Sequence, residues 1–295
     1  MLRMISQVLI FGLAFTTTEV WACASCGSGG DDPLILYPWE PWKVYAGFAK
    51  TDGFAPINAA GDLSREIGPE SRNTTTVSLG HSFNHRSFAT VTAPYIVNRR
   101  GPYERSGWGD PMLTGRYTII QQDITQSWRP QVQGIIAIRG GQATSKYDSE
   151  DLARLDVFGS GVPEWRLGVD VWHGMTDFKA GFAQTMTGPL ANRSTEFGVI
   201  RTGITYRSTM TTGYGWGDRG KIIVGVNREQ TTAYRLSGVV QADSDTLAHS
   251  SFISADAKIE RNASVRLTYA RAAAFAKNKN TSRSDSVTMA LTRVF

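Results

Sequence analysis

Along much of this chain, hydrophobic and polar residues take turns. In EWRLGVDVWH, residues 164–173, Trp165, Leu167, Val169 and Val171 alternate with Glu164, Arg166, Gly168 and Asp170. A period of two puts one set on each face of a β-strand. SVTMALTRVF repeats the pattern, with Val287, Met289, Leu291 and Phe295 opposite Ser286, Thr288, Ala290 and Thr292. SFISADAKIE and ASVRLTY follow the same rule, as do KVYAGF and TTVSLGHSFN. About twelve such segments are predicted, over 42–50, 74–84, 87–98, 111–121, 130–139, 164–173, 176–187, 196–207, 220–229, 250–260, 263–273 and 285–295. The eighth is irregular: Phe197 and Val199 lie on one face, Ile204 and Tyr206 on the other. A β-bulge accounts for such a switch.

Each segment is roughly ten residues long, the length a tilted membrane-crossing strand needs. Very short turns follow the second, sixth and tenth segments, around NHR, GM and RN, whereas longer polar loops follow the odd-numbered ones. The connections after the fourth and eighth, QDITQSW and STMTTGYGWGDR, exceed that rule. Alternating short and long connections in an even-stranded meander mark outer-membrane barrels. A soluble sandwich has shorter strands, of about five or six residues, and needs thicker aliphatic cores than these strands offer. The expected fold is therefore all-β, an antiparallel transmembrane barrel.

The start of the chain fits this compartment. Arg3, the apolar stretch MISQVLIFGLAF and the small-residue site at Val20-Trp21-Ala22 read as a secretory signal over residues 1–22. Residues 23–41 then form an N-terminal periplasmic segment and 42–295 the barrel. Within that segment, DDPLILYPWEPW is apolar and proline-rich, and suits a periplasmic stub, an interfacial tether or an internal plug. The net charge of +5 does not change on removal of residues 1–22, which hold one base and one acid, Arg3 and Glu19. With no clustered Lys/Arg run, nucleic acid is not an expected partner. The expected partners are outer-membrane lipid, the barrel-assembly machinery and a small solute. The mean hydropathy of −0.23 does not argue for a soluble protein, because only every second residue of a barrel strand faces lipid.

Phe295 ends an alternating strand, which resembles the C-terminal assembly signal of Gram-negative outer-membrane barrels. An aromatic ring suits the periplasmic interface. Arg293 departs from that pattern, and an arginine there can snorkel. GWGDPMLTGRYTI, residues 107–119, resembles the Gly-x-Gly-Asp strand start of the "MetA-pathway of phenol degradation" transporter family. PQVQGIIAIRGGQAT, residues 130–144, is similar to the strand and loop that follow it there. The resemblance covers these two strands, and the rest only by architecture. It implies an outer-membrane transporter. A second GWGD, at Gly215–Asp218, falls at the opposite end of the barrel and is treated as coincidence.

No enzymatic constellation stands out. His81-Ser82 and His249-Ser250 are adjacent and so point to opposite strand faces, the wrong spacing for a nucleophile and its base. The four histidines have no zinc spacing, and no cofactor is expected. His81 and His173 read as interfacial. Strand parity turns Lys43, Arg116, Arg139, Arg166, Lys179, Lys258 and Arg266 inward, with Glu164, Asp170, Asp256 and Glu260. Seven bases against four acids make a modestly basic lumen, which favours anionic or polarisable solutes; the same charges also serve to pair with one another. The expected function is an outer-membrane channel for small solutes. The alternative is a structural or plugged barrel whose N-terminal Cys-x-x-Cys contacts a metal or a periplasmic partner.

That motif, Cys23 and Cys26 in CASCGSGGDDP, lacks the following histidine of a c-type haem site and the four ligands of structural zinc. A lipid anchor on Cys23 meets bulky Trp21 where a small residue is preferred. A local disulfide or an idle pair is favoured over a two-thiolate contact for a soft metal such as Cu(I).

Overall fold

The structure, a computed structural model, describes residues 33–37, 40–63, 70–122, 129–175, 177–195, 198–216 and 219–295. The described residues contain strands and connections but no helix. The strands are β1 (Trp42–Ile57), β2 (Ser71–Ser82), β3 (Ser87–Arg100), β4 (Tyr103–Trp108), β5 (Met112–Ile120), β6 (Gln131–Arg139), β7 (Glu164–Met175), β8 (Phe178–Pro189), β9 (Arg193–Thr195), β10 (Gly198–Arg201), β11 (Thr205–Gly215), β12 (Gly220–Thr231), β13 (Arg235–Leu236), β14 (Val239–Val240), β15 (Thr246–Glu260), β16 (Ala263–Ala272) and β17 (Thr281–Val294).

Twelve of these, all but β4, β9, β10, β13 and β14, form one antiparallel ring. It closes where β1 pairs with β17, from Lys43 opposite Val294 to Ile57 opposite Thr281. Closure leaves no unpaired strand edge, which is what lets a sheet cross a membrane. β4 continues the line of β5 along the upper half of β3, so Trp108 lies opposite Tyr95. The short strands β9, β10, β13 and β14 form a separate four-stranded sheet in the long loops.

The ring inverts the burial pattern of a soluble protein. On β6, Ile136 is 59% exposed and its neighbour Ile135 only 8%. On β17, Met289 is 61% exposed and Ala290 3%. The exposed set points outward, and on every barrel strand it is predominantly apolar: Phe48, Val77, Val91, Leu113, Leu167, Phe182, Met210, Val224, Ile253 and Leu267 are examples. Such a band is stable only against lipid. Aromatic residues mark its lower border, where Trp42, Tyr117, Phe178, Tyr214 and Trp216 stand exposed near the short-turn end. His81 belongs to this border. It lies against Trp42, with ring centroids 4.1 Å apart, and against Phe83 at 5.0 Å.

The eighth strand differs from its expected span of 196–207. It runs over Thr205–Gly215 instead, while 193–195 and 198–201 belong to the small outer sheet. The face switch between Val199 and Ile204 is thus a boundary between two sheets rather than a bulge. The corrected span also explains the overlong connection after it. β11 and β12 join at the same end as the other short connections, where Trp216 N donates to Gly220 O at 3.1 Å.

Candidate functional site: the barrel lumen

The inner wall carries the chemistry. At the short-turn end, residues 33–37 lie inside the ring. Leu34, Ile35 and Leu36 are 1–3% exposed and cluster with Tyr45 of β1, Phe88 of β3 and Ala290 of β17, all inward-facing. Leu36 fills the space above Gly80, where any side chain would collide with it. Lys43 fastens the segment: its Nζ donates to Ile35 O at 3.0 Å and to Glu40 Oε2 at 2.8 Å. Glu40 Oε2 also accepts Tyr37 N at 2.9 Å. Residues 33–37 of this proline-rich stretch are therefore packed on the inner wall of the barrel.

Ion pairs join inward positions of neighbouring or next-but-one strands along the lumen wall. Arg116 Nη1 donates to Asp170 Oδ2 at 3.2 Å, both side chains being 1% exposed. Arg139 lies 3.3 Å from Glu164. Asp256 accepts Arg266 Nε at 2.6 Å and Arg266 Nη2 at 3.1 Å, and pairs with Lys221 at 3.1 Å. Arg207 pairs with Glu229. Between the pairs the wall is rich in hydroxyls and amides. Ser78 and Thr92 share a hydrogen bond of 2.9 Å, Gln133 Nε2 donates to Thr118 Oγ1 at 3.1 Å, and Thr209 Oγ1 donates to Asn227 Oδ1 at 2.7 Å. Trp172 packs with Ile223 and Phe252 as an apolar patch on the opposite side from residues 33–37.

At the outer end, the loop of residues 140–163 folds back onto the barrel mouth. Leu155 is 1% exposed, and Val162 and Ser145 are buried. Inward-facing Asn98 donates through Nδ2 to Leu155 O at 2.8 Å and to Val157 O at 3.2 Å. The GWGD segment of residues 107–110 is the seat for this loop. Phe158 covers Gly107, where a Cβ would stand 2.6 Å from its ring. Asp110 accepts Ala143 N at 2.9 Å, Ser160 N at 2.7 Å and Ser160 Oγ at 3.1 Å. An open cleft of about 410 Å³ runs along the loop between Gly141, Asp148, Asp156 and Arg193. Nearby, Lys279 Nζ clamps two loops by donating to Asp243 at 3.0 Å and Asp245 at 2.7 Å. The hydrogen bond from Lys279 holds the Asp245 carboxyl below the usual carboxylate range, and the same bond pushes the Lys279 ammonium up.

Arg116, Asp170, Arg139 and Arg266 thus stand in the lumen as partners of opposite charge. Arg166 Nε donates to Thr187 Oγ1 at 3.1 Å. Lys179 lies opposite Gly174 and Gly213, and Lys258 opposite Ser264, all near the short turns. Glu260 sits exposed at the irregularity where β15 meets Ala263. Phe295 N donates to Trp42 O at 3.0 Å, and the Arg293 guanidinium lies over the Phe295 ring at 5.4 Å. Cys23, Cys26 and the signal segment lie outside the described residues. Sequence parity did not reveal Asn98 and Asp110 as loop anchors. Their only signal was a polar residue at an inward or turn position.

A closed twelve-stranded ring with an apolar outer band, a polar inner wall and short turns at one end defines an outer-membrane β-barrel protein. The outer membrane is where the chain resides. Solved structures agree on the fold. An outer membrane channel from Pseudomonas putida F1 superposes with a TM-score of 0.71 at 11% identity, covering 90% of this chain and 98% of that one. The NanC porin gives 0.53 at 9% identity, with 86% and 100% covered. The KdgM porin in complex with disordered oligogalacturonate gives 0.50 at 7% identity, with 86% and 99% covered. No family model and no curated protein matches the chain by sequence.

Proposed function

We propose that this protein is a non-enzymatic outer-membrane channel for small solutes, with a modestly basic lumen that is closed at rest. The observation that carries the proposal is the polar, hydroxyl- and charge-bearing inner wall of a closed barrel. Such a wall favours passage of polar solutes over lipid. The structural likeness to an outer membrane channel and to two porins supports it through the fold. Kinship with the phenol-degradation transporter family, resting on residues 107–119 and 130–144, belongs to the same proposal. The surplus of base is tempered, because Arg116, Arg139, Arg207 and Arg266 each have a carboxylate neighbour.

Residues 33–37, buried against the inner wall, support the closed resting state: the barrel conducts only when that segment moves. Lipid contacts the outer band. Phe295 serves assembly machinery as a terminal-strand signal, and the Cys23–Cys26 pair acts on the periplasmic side as a disulfide or as a metal or partner contact. Conductance of the purified protein in planar bilayers, with solute-induced swelling of liposomes, tests the channel. Silent bilayers and unswollen liposomes, obtained also with a variant relieved of both the plug and loop 140–163, would refute it.

A further inference from the structure

We propose that the inner wall around Lys43 is a binding site for a small amphipathic anion, a site that Leu34, Leu36 and Glu40 of the same chain occupy while the lumen is closed. The inference rests on the channel reading and names the solute class that opens it.

The plug behaves as a ligand held in cis, and what it presents describes the site. Leu34 and Leu36 fill an apolar seat against Tyr45, Phe88 and Ala290, and Gly80 leaves the space for Leu36 by having no side chain. Beside that seat the Lys43 ammonium takes one carbonyl, Ile35 O at 3.0 Å, and one carboxylate, Glu40 at 2.8 Å. Glu40 is 4% exposed, so its charge depends on that partner. Lys221 of β12 and Arg266 of β16 belong to the same inner wall. The carboxylate that holds both of them is Asp256, at 3.1 and 2.6 Å.

Withdrawal of the segment changes this balance. Glu40 leaves, and the Lys43 ammonium loses the carboxylate that neutralises it. The apolar seat opens to water at the same time. A solute that is only apolar leaves the ammonium without its carboxylate, and one that is only ionic leaves the seat wet. A molecule with a short aliphatic or aromatic body and one carboxylate replaces both halves of the plug. It competes with the plug directly, so the solute is also the key to the gate.

Hexanoate is a suitable probe, with hexanamide and acetate as its uncharged and non-apolar comparators. The purified full chain is reconstituted in planar bilayers. Hexanoate is expected to raise open time at least about tenfold over either comparator, and Lys43→Gln to abolish that response. A Leu34→Ser/Leu36→Ser variant is expected to be open without any solute, since two buried leucines no longer hold the plug. Equal responses to hexanoate and hexanamide would overturn the anion site. A hexanoate response kept in Lys43→Gln, or none in the wild type while the double variant conducts, would do the same; all three outcomes leave the channel standing. A double variant that keeps heat-modifiable mobility but never conducts would overturn the channel reading, and this inference with it.

Discussion

Arg116 on β5 reaches past the whole of β6 to Asp170 on β7, where Nη1 and Oδ2 are 3.2 Å apart and neither side chain is more than 1% exposed. The inward pleat makes this possible. Arg116 lies opposite Ile135 and Asp170 opposite Gln133, so both point into the lumen at nearly one height. A charge so far from water depends on its partner. Asp170→Ala alone should destabilise the barrel by roughly 3–5 kcal/mol, whereas Arg116→Met/Asp170→Leu should lie much closer to wild type. Urea unfolding followed by tryptophan fluorescence checks this. A double-variant loss equal to the sum of the two single-variant losses would show that the pair is not coupled.

Asp110 anchors the outer loop through three hydrogen bonds, to Ala143 N, Ser160 N and Ser160 Oγ. Asp110→Ala should free residues 140–163 at a cost of about 1–3 kcal/mol per buried donor left unpaired. Protease is expected to cut that loop faster in intact cells while the barrel itself stays folded. Unchanged cleavage would mean that the loop is held elsewhere, for example through Asn98.

Arg139 of β6 and Glu164 of β7 are cross-strand partners at the outer end of the barrel wall. Arg139→Gln should shift ion selectivity toward cations, because Glu164 then acts alone, and Glu164→Gln should shift it toward anions. Reversal potentials in a salt gradient report both changes. Shifts of the same sign would place this pair outside the ion path.

The clamp of Lys279 on Asp243 and Asp245 has a defined pH window. Asp245 is depressed in the folded state, so its contribution is complete above the unfolded value, about 4, and is lost as pH falls through the lower folded value. Lys279 is raised, so its contribution is complete below the unfolded value, about 10.4, and is lost as pH climbs through the folded one. Hydrogen exchange of residues 273–280 should therefore reflect a closed loop from about pH 5 to 9 once the intrinsic rate is removed. Loosening inside that window would point to another titrating group.

The period-two pattern determined much of this protein. It set the strand faces, the number of crossings and the parity that turns Arg116, Arg139 and Asp170 inward, because side-chain direction in a strand is a local property. Trp42 and Phe295, which meet where the ring closes, were visible as the edges of alternating segments.

Other features arose only in three dimensions. Residues 196–204 alternate much as a barrel strand does, and only pairing partners distant in sequence, Arg193–Thr195 and Arg235–Leu236, draw 198–201 into a separate outer sheet. The GWGD segment looked like a strand start, and its second role as the seat of loop 140–163 depends on Phe158, some fifty residues on, coming to rest over Gly107. The apolar run Leu34-Ile35-Leu36 fitted a stub, a tether or a plug equally well. Its burial against Tyr45, Phe88 and Ala290 appears only in the structure, since those three residues share a surface only after β1, β3 and β17 have closed into a ring.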